Sequence, residues 1–195
     1  AIDLTANTSG VTVRQYGIPA AAGSTATDTD KDGVPDASEP VIVGAVKFGS
    51  GADAFNVGNG TVIGDMSFGA GADRLSISGG AAVSGDVTDN DGALDINVSK
   101  GTLNATQTTA TSISSLNVGA EGVLIVAVDP QGDRAGGFNV SGAATLATGA
   151  QLGVRFSSLL ESPERFSVIK AGALNVGDIN QSLLTDNSPY LYVVQ

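Results

Sequence analysis

The fold follows from two near-copies of one segment, Phe48-Gly-Ser-Gly-Ala-Asp-Ala-Phe-Asn-Val57 and Phe68-Gly-Ala-Gly-Ala-Asp-Arg-Leu-Ser-Ile77. They begin 20 residues apart, and the residues between them also correspond, as Gly44 does to Gly64. Self-similarity at a fixed period of this size is the signature of repeat architectures. The sequence therefore predicts a chain built from stacked, similar units.

A triplet with the pattern apolar–polar–apolar marks the same place in each unit. Two inward apolar side chains around one outward polar side chain are typical of a half-buried strand, because strand side chains alternate between faces. Glycine follows the first three triplets at positions 60, 80 and 101, where a corner favours a residue without Cβ. The triplets are Phe55-Asn-Val57, Leu75-Ser-Ile77, Ile96-Asn-Val98, Leu116-Asn-Val118 and Phe138-Asn-Val140.

A unit of this length is too short for a helix–turn–helix repeat, which needs ~34 residues. It suits one coil of a β-helix, in which each coil lies ~4.8 Å above the last. Phe48 would then stack over Phe68, and Phe55 over Leu75 over Ile96. We therefore predict an all-β fold, a right-handed parallel β-helix (solenoid) with coils of about 20 residues and a less regular C-terminal cap.

We expect a single β-solenoid domain over residues 1–195. Its parts are an acidic loop insertion at 24–40, regular coils at 41–103 and a less regular C-terminal part at 104–195. Helical character is confined to 157–164, where we expect a short turn. The apolar segment at 189–195 predicts a final strand with no stop signal after it, so we expect the chain to be cut at this end.

The composition excludes several classes of function. The chain has 27 glycines among 195 residues, and only 15% of its residues are charged, which argues against disorder. A net charge of −11 repels phosphate backbones, so we expect no nucleic-acid partner. Because the chain has neither His nor Cys, it cannot build a Ser-His-Asp or Cys-His catalytic centre, and we expect no catalytic residues.

The sharpest local motif is the acidic segment from Asp28 to Glu39. It has the pattern Asp-x-Asp-x-Asp-Gly, with Gly33 at the sixth position, where a calcium loop turns sharply. Its carboxylates repel one another without a cation, so we expect it to bind Ca²⁺, and a solvated acidic loop is the alternative. The predicted ligands are the side chains of Asp28, Asp30, Asp32, Asp36 and Glu39 and the carbonyl of Val34.

This segment resembles the calcium loops of EF-hands, dockerins and thrombospondin type 3 repeats. Pro35 and Pro40 oppose flanking helices, which favours the thrombospondin or dockerin type over a true EF-hand. The expected role is structural, because a sensor would need a paired motif and a responsive helix. We therefore expect the ion to order an excursion that packs on the solenoid.

Other acidic residues are weaker candidates. The segments ending at Asp53 and Asp73 are close to the RTX calcium nonapeptide, but their 20-residue spacing favours corner turns instead. Asp65 and Asp86 recur at one place in successive units, where stacked carboxylates could serve acid–base chemistry on a polysaccharide. A further acidic turn with weaker prospects for a metal contains Asp86, Asp89, Asp91 and Asp95.

From about Val41 onward the chain resembles the passenger β-helix of bacterial autotransporters, the type V secretion system. The resemblance rests on the tandem segments 49–53 and 69–73, on 115–130 and 138–152, and on a closing stretch at 184–192. It implies that the C-terminal half nucleates β-helix folding as an autochaperone cap. Two departures are that the family's translocator barrel is not expected within this chain, and that the acidic loop at 28–39 is not a standard family feature.

The resemblance implies a non-enzymatic extracellular scaffold, structural or adhesive, at the bacterial cell surface. Its partners would be copies of itself or cell-surface and carbohydrate ligands, with membrane contact only through the barrel that this chain lacks. Ca²⁺ would be its one bound cofactor. Two alternatives stay open, a carbohydrate-active β-helix enzyme and a calcium-dependent secreted module.

Overall fold

The computed structural model describes residues 1–158 and 164–180. Over these residues the chain is all-β, with one 3-10 turn at Asp36–Ser38. Within the same ranges, no helix has the length and hydrophobicity that a membrane span requires. The expected turn at 157–164 lies partly outside the described residues, and the closing stretch at 184–192 and the final strand at 189–195 lie wholly outside them.

The described strands are, in chain order, β1 Ile2–Asp3, β2 Thr12–Gln15, β3 Val41–Val43, β4 Val46–Lys47, β5 Ala54–Val57, β6 Thr61–Ile63, β7 Met66–Phe68, β8 Arg74–Ile77, β9 Ala82–Gly85, β10 Val87–Asp89, β11 Asp95–Ala105, β12 Thr111–Ile113, β13 Ser115–Asp129, β14 Arg134–Ala135, β15 Phe138–Leu146, β16 Gln151–Phe156 and β17 Ile169–Val176.

Each strand from β1 to β8 pairs with the third strand after it, β9 pairs with β11, and all these pairs are parallel. Three walls result, whose first strands are β1-β4-β7-β10, β2-β5-β8-β11 and β3-β6-β9-β11. The long strands β11 and β13 turn a corner and belong to both the second and the third wall. Such curled parallel sheets are compatible with a β-solenoid, and we call one circuit of the three walls a coil.

The predicted register of the early coils is confirmed. Phe55 pairs with Leu75 and Leu75 with Ile96, so equivalent side chains stack along the second wall. The rings of Phe48 and Phe68 are stacked, with centroids 5.0 Å apart and an interplanar angle of 12°. The corner glycines at 60, 80 and 101 have φ values of 71°, 79° and 133°, which explains why these corners use glycine.

The predicted register of the fifth triplet is wrong. Phe138–Val140 pairs with Thr111–Ile113 of β12, whereas Leu116–Val118 pairs with Ala144–Leu146 further along β15. The cause is an excursion in which β13 continues to Asp129 and β14 folds back on it as an antiparallel strand. Because this hairpin adds residues, Phe138–Val140 lies in the wall before the one that the triplet spacing predicts.

Inward side chains from successive coils form one continuous core. They include Leu75, Ile96 and Leu116, all at most 1% exposed. The same inward row ends at Leu174 in the last described coil, where exposure rises to 53%. Burial of the apolar rows is therefore a product of stacking, because each coil is covered by the next.

Candidate metal centre

The acidic loop is shaped by its own carboxylates. The Asp28 carboxylate accepts the N–H groups of Asp32 (3.2 Å) and Gly33 (3.0 Å), and the Asp32 carboxylate accepts that of Val34 (2.7 Å). Lys31 and Gly33 have φ values of 57° and 92°, so two left-handed residues make the sharp turn. The turn predicted at Gly33 is therefore present.

Three of the predicted ligands converge. Asp28, Asp30 and Asp32 each offer a carboxylate oxygen, and these oxygens lie within 4.8 Å of one another. Oxygens bound to one Ca²⁺ at about 2.3–2.6 Å can be up to about 5 Å apart, so the cluster has a suitable size. Its donors are all hard oxygens, which is the chemistry that Ca²⁺ and Mg²⁺ prefer. The cluster could therefore hold a metal ion.

The other predicted side-chain ligands lie differently. The Asp36 carboxylate accepts the N–H (2.8 Å) and the hydroxyl (2.7 Å) of Thr29, and these hydrogen bonds lower the pKa of Asp36. Burial and then the negative charges of Asp30 and Asp32 raise the pKa of Glu39. The structure thus brings together the first three acids, and Asp36 and Glu39 remain predicted ligands.

The electrostatics of the cluster favour a cation. The pKa of Asp30 is raised by loss of hydration and then by the negative charge of Asp32. An acid is harder to ionise where other carboxylates crowd it, and a bound cation reverses that effect. The loop therefore carries a repulsion that metal binding would remove.

The loop is held on the coils by two buried amides that sequence analysis missed. Asn59, 8% exposed, donates to the Asp32 carboxylate and to the carbonyl of Gly79 (3.3 Å), and it accepts the N–H of Gly17 (3.1 Å). Gln15, 4% exposed, donates to the carbonyl of Asn59 at 2.9 Å. In the sequence, the only hint of this role is that Asn59 lies between Gly58 and Gly60 at a corner. The burial of Asn59 depends on the loop that covers it.

Two further contacts fix the loop. The side chain of Val34 is 3% exposed and packs so closely on Gly17 that a Cβ there would overlap it. The carboxylate of Asp30 lies over Gly80, where a Cβ would also overlap. The predicted ligand Val34 is therefore an apolar anchor of the loop, whatever its carbonyl binds.

We expect Asn59→Ala to lower the free energy of unfolding by about 1–3 kcal/mol, because it leaves the partly buried N–H of Gly17 and carbonyl of Gly79 without this partner. It should also speed proteolytic cleavage within the acidic loop, since the link to Asp32 is lost. Urea unfolding and limited proteolysis measure the two effects. Asn56→Ala is the matched control, because Asn56 is an outward residue of β5 that takes no part in the loop. Equal losses in the two variants would contradict the assigned role of Asn59.

Most carboxylates of the other acidic candidates accept hydrogen bonds from neighbouring coils. The Asp65 carboxylate accepts the N–H of Asp86 (3.0 Å), and the Asp86 carboxylate accepts the hydroxyl of Thr106. Asp95 accepts the hydroxyls of Ser114 and Ser115, each at 2.6 Å. In the part of the chain that the structure describes, Asp28, Asp30 and Asp32 form the only group of three carboxylates close enough to share a metal ion.

Comparisons with known proteins do not assign the chain to a family. No protein-family model matches the chain, and neither the curated proteins nor the solved structures yielded a significant match.

Proposed function

We propose that the chain is a non-enzymatic extracellular scaffold, a right-handed parallel β-helix that Ca²⁺ stabilises by holding the acidic loop against the coils. The observation that carries this proposal is the cluster of Asp28, Asp30 and Asp32, in a loop bonded to the coils through Asn59. A cation there would cancel the repulsion among the carboxylates and would order a loop that already contacts two coil corners.

Strand geometry supports the right-handed sense of the coil. Each wall receives its next strand in parallel after a circuit through the other two walls. A strand that leaves a sheet and returns parallel to it does so with a right-handed crossover in about 98% of cases, because strands have a right-handed twist. The same preference acts on every coil of this chain.

We further propose that the scaffold is a passenger segment of an autotransporter-like protein at the bacterial cell surface. Extracellular calcium modules bind weakly, with Kd values of about 10⁻⁴–10⁻³ M, and an acidic loop near the protein surface suits that range. A net charge of −11 and the absence of cysteine fit the same setting. The partners that suit such a scaffold are copies of the chain or carbohydrate and other cell-surface ligands.

Calcium titration with and without EDTA tests this proposal. We expect one Ca²⁺ per chain by calorimetry, and a rise in Tm of roughly 5–10 °C when Ca²⁺ is present at about 100 times its Kd. Asp30→Asn should weaken binding at least about tenfold, because one of three converging charges is lost. Asp133→Asn makes the same charge change at a remote exposed turn and should leave binding unaltered.

The proposal has a clear failure. It is wrong if Ca²⁺ leaves the Tm of the wild-type protein unchanged, or if the Asp30 and Asp133 variants bind it equally well. A response to Mg²⁺ as strong as that to Ca²⁺ would keep the metal site but remove the assignment to calcium.

A further inference from the structure

A second set of acids lies inside the corner between the first and second walls, outside the acidic loop. The carboxylate of Asp53 accepts the N–H of Val11 (2.6 Å), and that of Asp73 accepts the N–H of Asp53 (2.8 Å). Each acid thus reaches back to the preceding coil. Asp53 and Asp73 are both 1% exposed, so this column of carboxyls is almost completely removed from solvent.

One oxygen of each acid is left over. Oδ2 of Asp53 and Oδ2 of Asp73 are buried and have no hydrogen-bond partner, and the same is true of Oδ1 of Asp89. In the next coil Leu94 occupies the position that Asp73 has in its own coil, so no carboxylate continues the column there. The backbone N–H of Leu94 donates to the carboxylate of Asp89 (3.2 Å). A buried carboxylate oxygen without a partner destabilises the folded state, because it has lost its hydration. A hydrogen-bond donor or a cation at this corner would offset that loss.

The charges that face the column are all negative. Asp53 faces Asp73 from the coil below, and Asp89 and Asp91 face it from the coil above. Arg74 follows Asp73 in sequence, but it is an exposed outward residue of β8. Its positive charge favours the ionised form of Asp95. Over the described residues the ion pair found joins Lys100 to Glu121, away from this corner. Among residues 1–158 and 164–180, no basic side chain forms an ion pair with the column.

A metal ion is not favoured at this corner. The unpaired oxygens of Asp53, Asp73 and Asp89 do not meet the proximity that three ligands of one ion require, a condition that the acidic loop does meet. A proton needs only one oxygen, so these oxygens do not have to converge to bind it. It also removes the charge that burial disfavours most.

We propose that the buried carboxyls of Asp73 and Asp89 are a proton-binding site, which takes up a proton as the coils stack and makes the folded chain more stable in mildly acidic than in neutral solution.

The direction of the effect follows from linkage. Burial and then neighbouring carboxylates raise the pKa of Asp73 above its ordinary value of 3.8, with the N–H of Asp53 opposing, and burial also raises that of Asp89. In the interval between 3.8 and the raised pKa the folded protein binds more protons than the unfolded chain. Stability from these groups is therefore present at acidic pH and is lost as the pH rises through that interval.

Asp73→Asn separates this proposal from a purely structural role. The asparagine carbonyl still accepts the N–H of Asp53, and its amide is neutral, so the buried charge is removed while the hydrogen bond is kept. In EDTA, we expect Asp73→Asn to raise the Tm at pH 7 by at least about 2 °C and to reduce the fall in Tm between pH 4.5 and pH 7. Asp133→Asn is the control and should follow the wild type across the same range.

Carboxyl NMR titration supplies a readout independent of stability, and we expect the Asp73 carboxyl to titrate above 3.8. A lower Tm for Asp73→Asn at pH 7, or equal pH slopes for this variant and the wild type, would overturn the proposal. So would a difference between the two proteins that disappears when Ca²⁺ is added, because a cation would then occupy the column. The wild type and Asp73→Asn share the same acidic loop, so titration of Asp30 and Glu39 affects both proteins equally in EDTA. A negative result for the proton site would therefore leave the calcium proposal intact.

Discussion

Leu75→Ala is expected to lower the free energy of unfolding by about 3–5 kcal/mol, the usual range for a buried leucine whose cavity cannot collapse. Leu75 is fully buried in the middle of the inward row of the second wall, with Phe55 below it and Ile96 above it. Because coils on both sides hold their own backbone hydrogen bonds, neither can move in to fill the space. Urea unfolding monitored by circular dichroism measures the loss.

Leu174→Ala is the matched control for this prediction. It removes the same atoms from the same inward row, but in the last described coil, where Leu174 is 53% exposed. We expect a loss below about 1 kcal/mol, because little apolar area is buried there. Equal losses at the two positions would show that the row is not built by coil stacking.

Gly69→Ala is expected to cost at least about 3 kcal/mol, at the upper end for overpacking. A Cβ at Gly69 would overlap the carbonyl oxygen of Gly49 in the coil below. Backbone cannot rotate away as a side chain can, so the two coils must separate locally and lose hydrogen bonds. Thermal and urea unfolding of the purified variant test this.

Gly92→Ala is the control, at the equivalent corner one coil later. Gly92 has a φ of 78°, and the nearest atom to an added Cβ is the Cβ of Ser112 at an ordinary 3.6 Å. Its cost should be the strain of a left-handed alanine, about 1–2 kcal/mol. A smaller loss for Gly69→Ala than for Gly92→Ala would contradict close stacking of the coils.

The two acidic sites differ in geometry, and we expect them to respond to different ligands for that reason. In the loop, Asp28, Asp30 and Asp32 converge near the surface, where a hydrated cation has access. In the corner column, Asp53 and Asp73 are enclosed between coils and their free oxygens do not converge with a third. Calcium and protons would therefore stabilise different parts of the chain, and the variants proposed above address them separately.

The turn of the acidic loop was largely predictable because its geometry is local. The N–H of Gly33 donates to the Asp28 carboxylate and that of Val34 to the Asp32 carboxylate. These hydrogen bonds span at most five residues of chain, so the motif alone predicts the turn. What it could not predict is the anchoring of the loop by Asn59, which is 27 residues away from Asp32 in sequence. That contact exists only because the corner of one coil lies beneath the loop.

The sequence by itself determined the parallel stacking of the first coils. The 20-residue period and the alternation of inward and outward residues are properties of the chain alone, and Phe48 over Phe68 follows from them. Only the tertiary structure decided that Phe138 belongs to a different wall from Leu116, and that Asp53 and Asp73 are enclosed rather than solvated. The reason is physical: wall position depends on the length of every intervening excursion, and burial depends on what neighbouring coils cover.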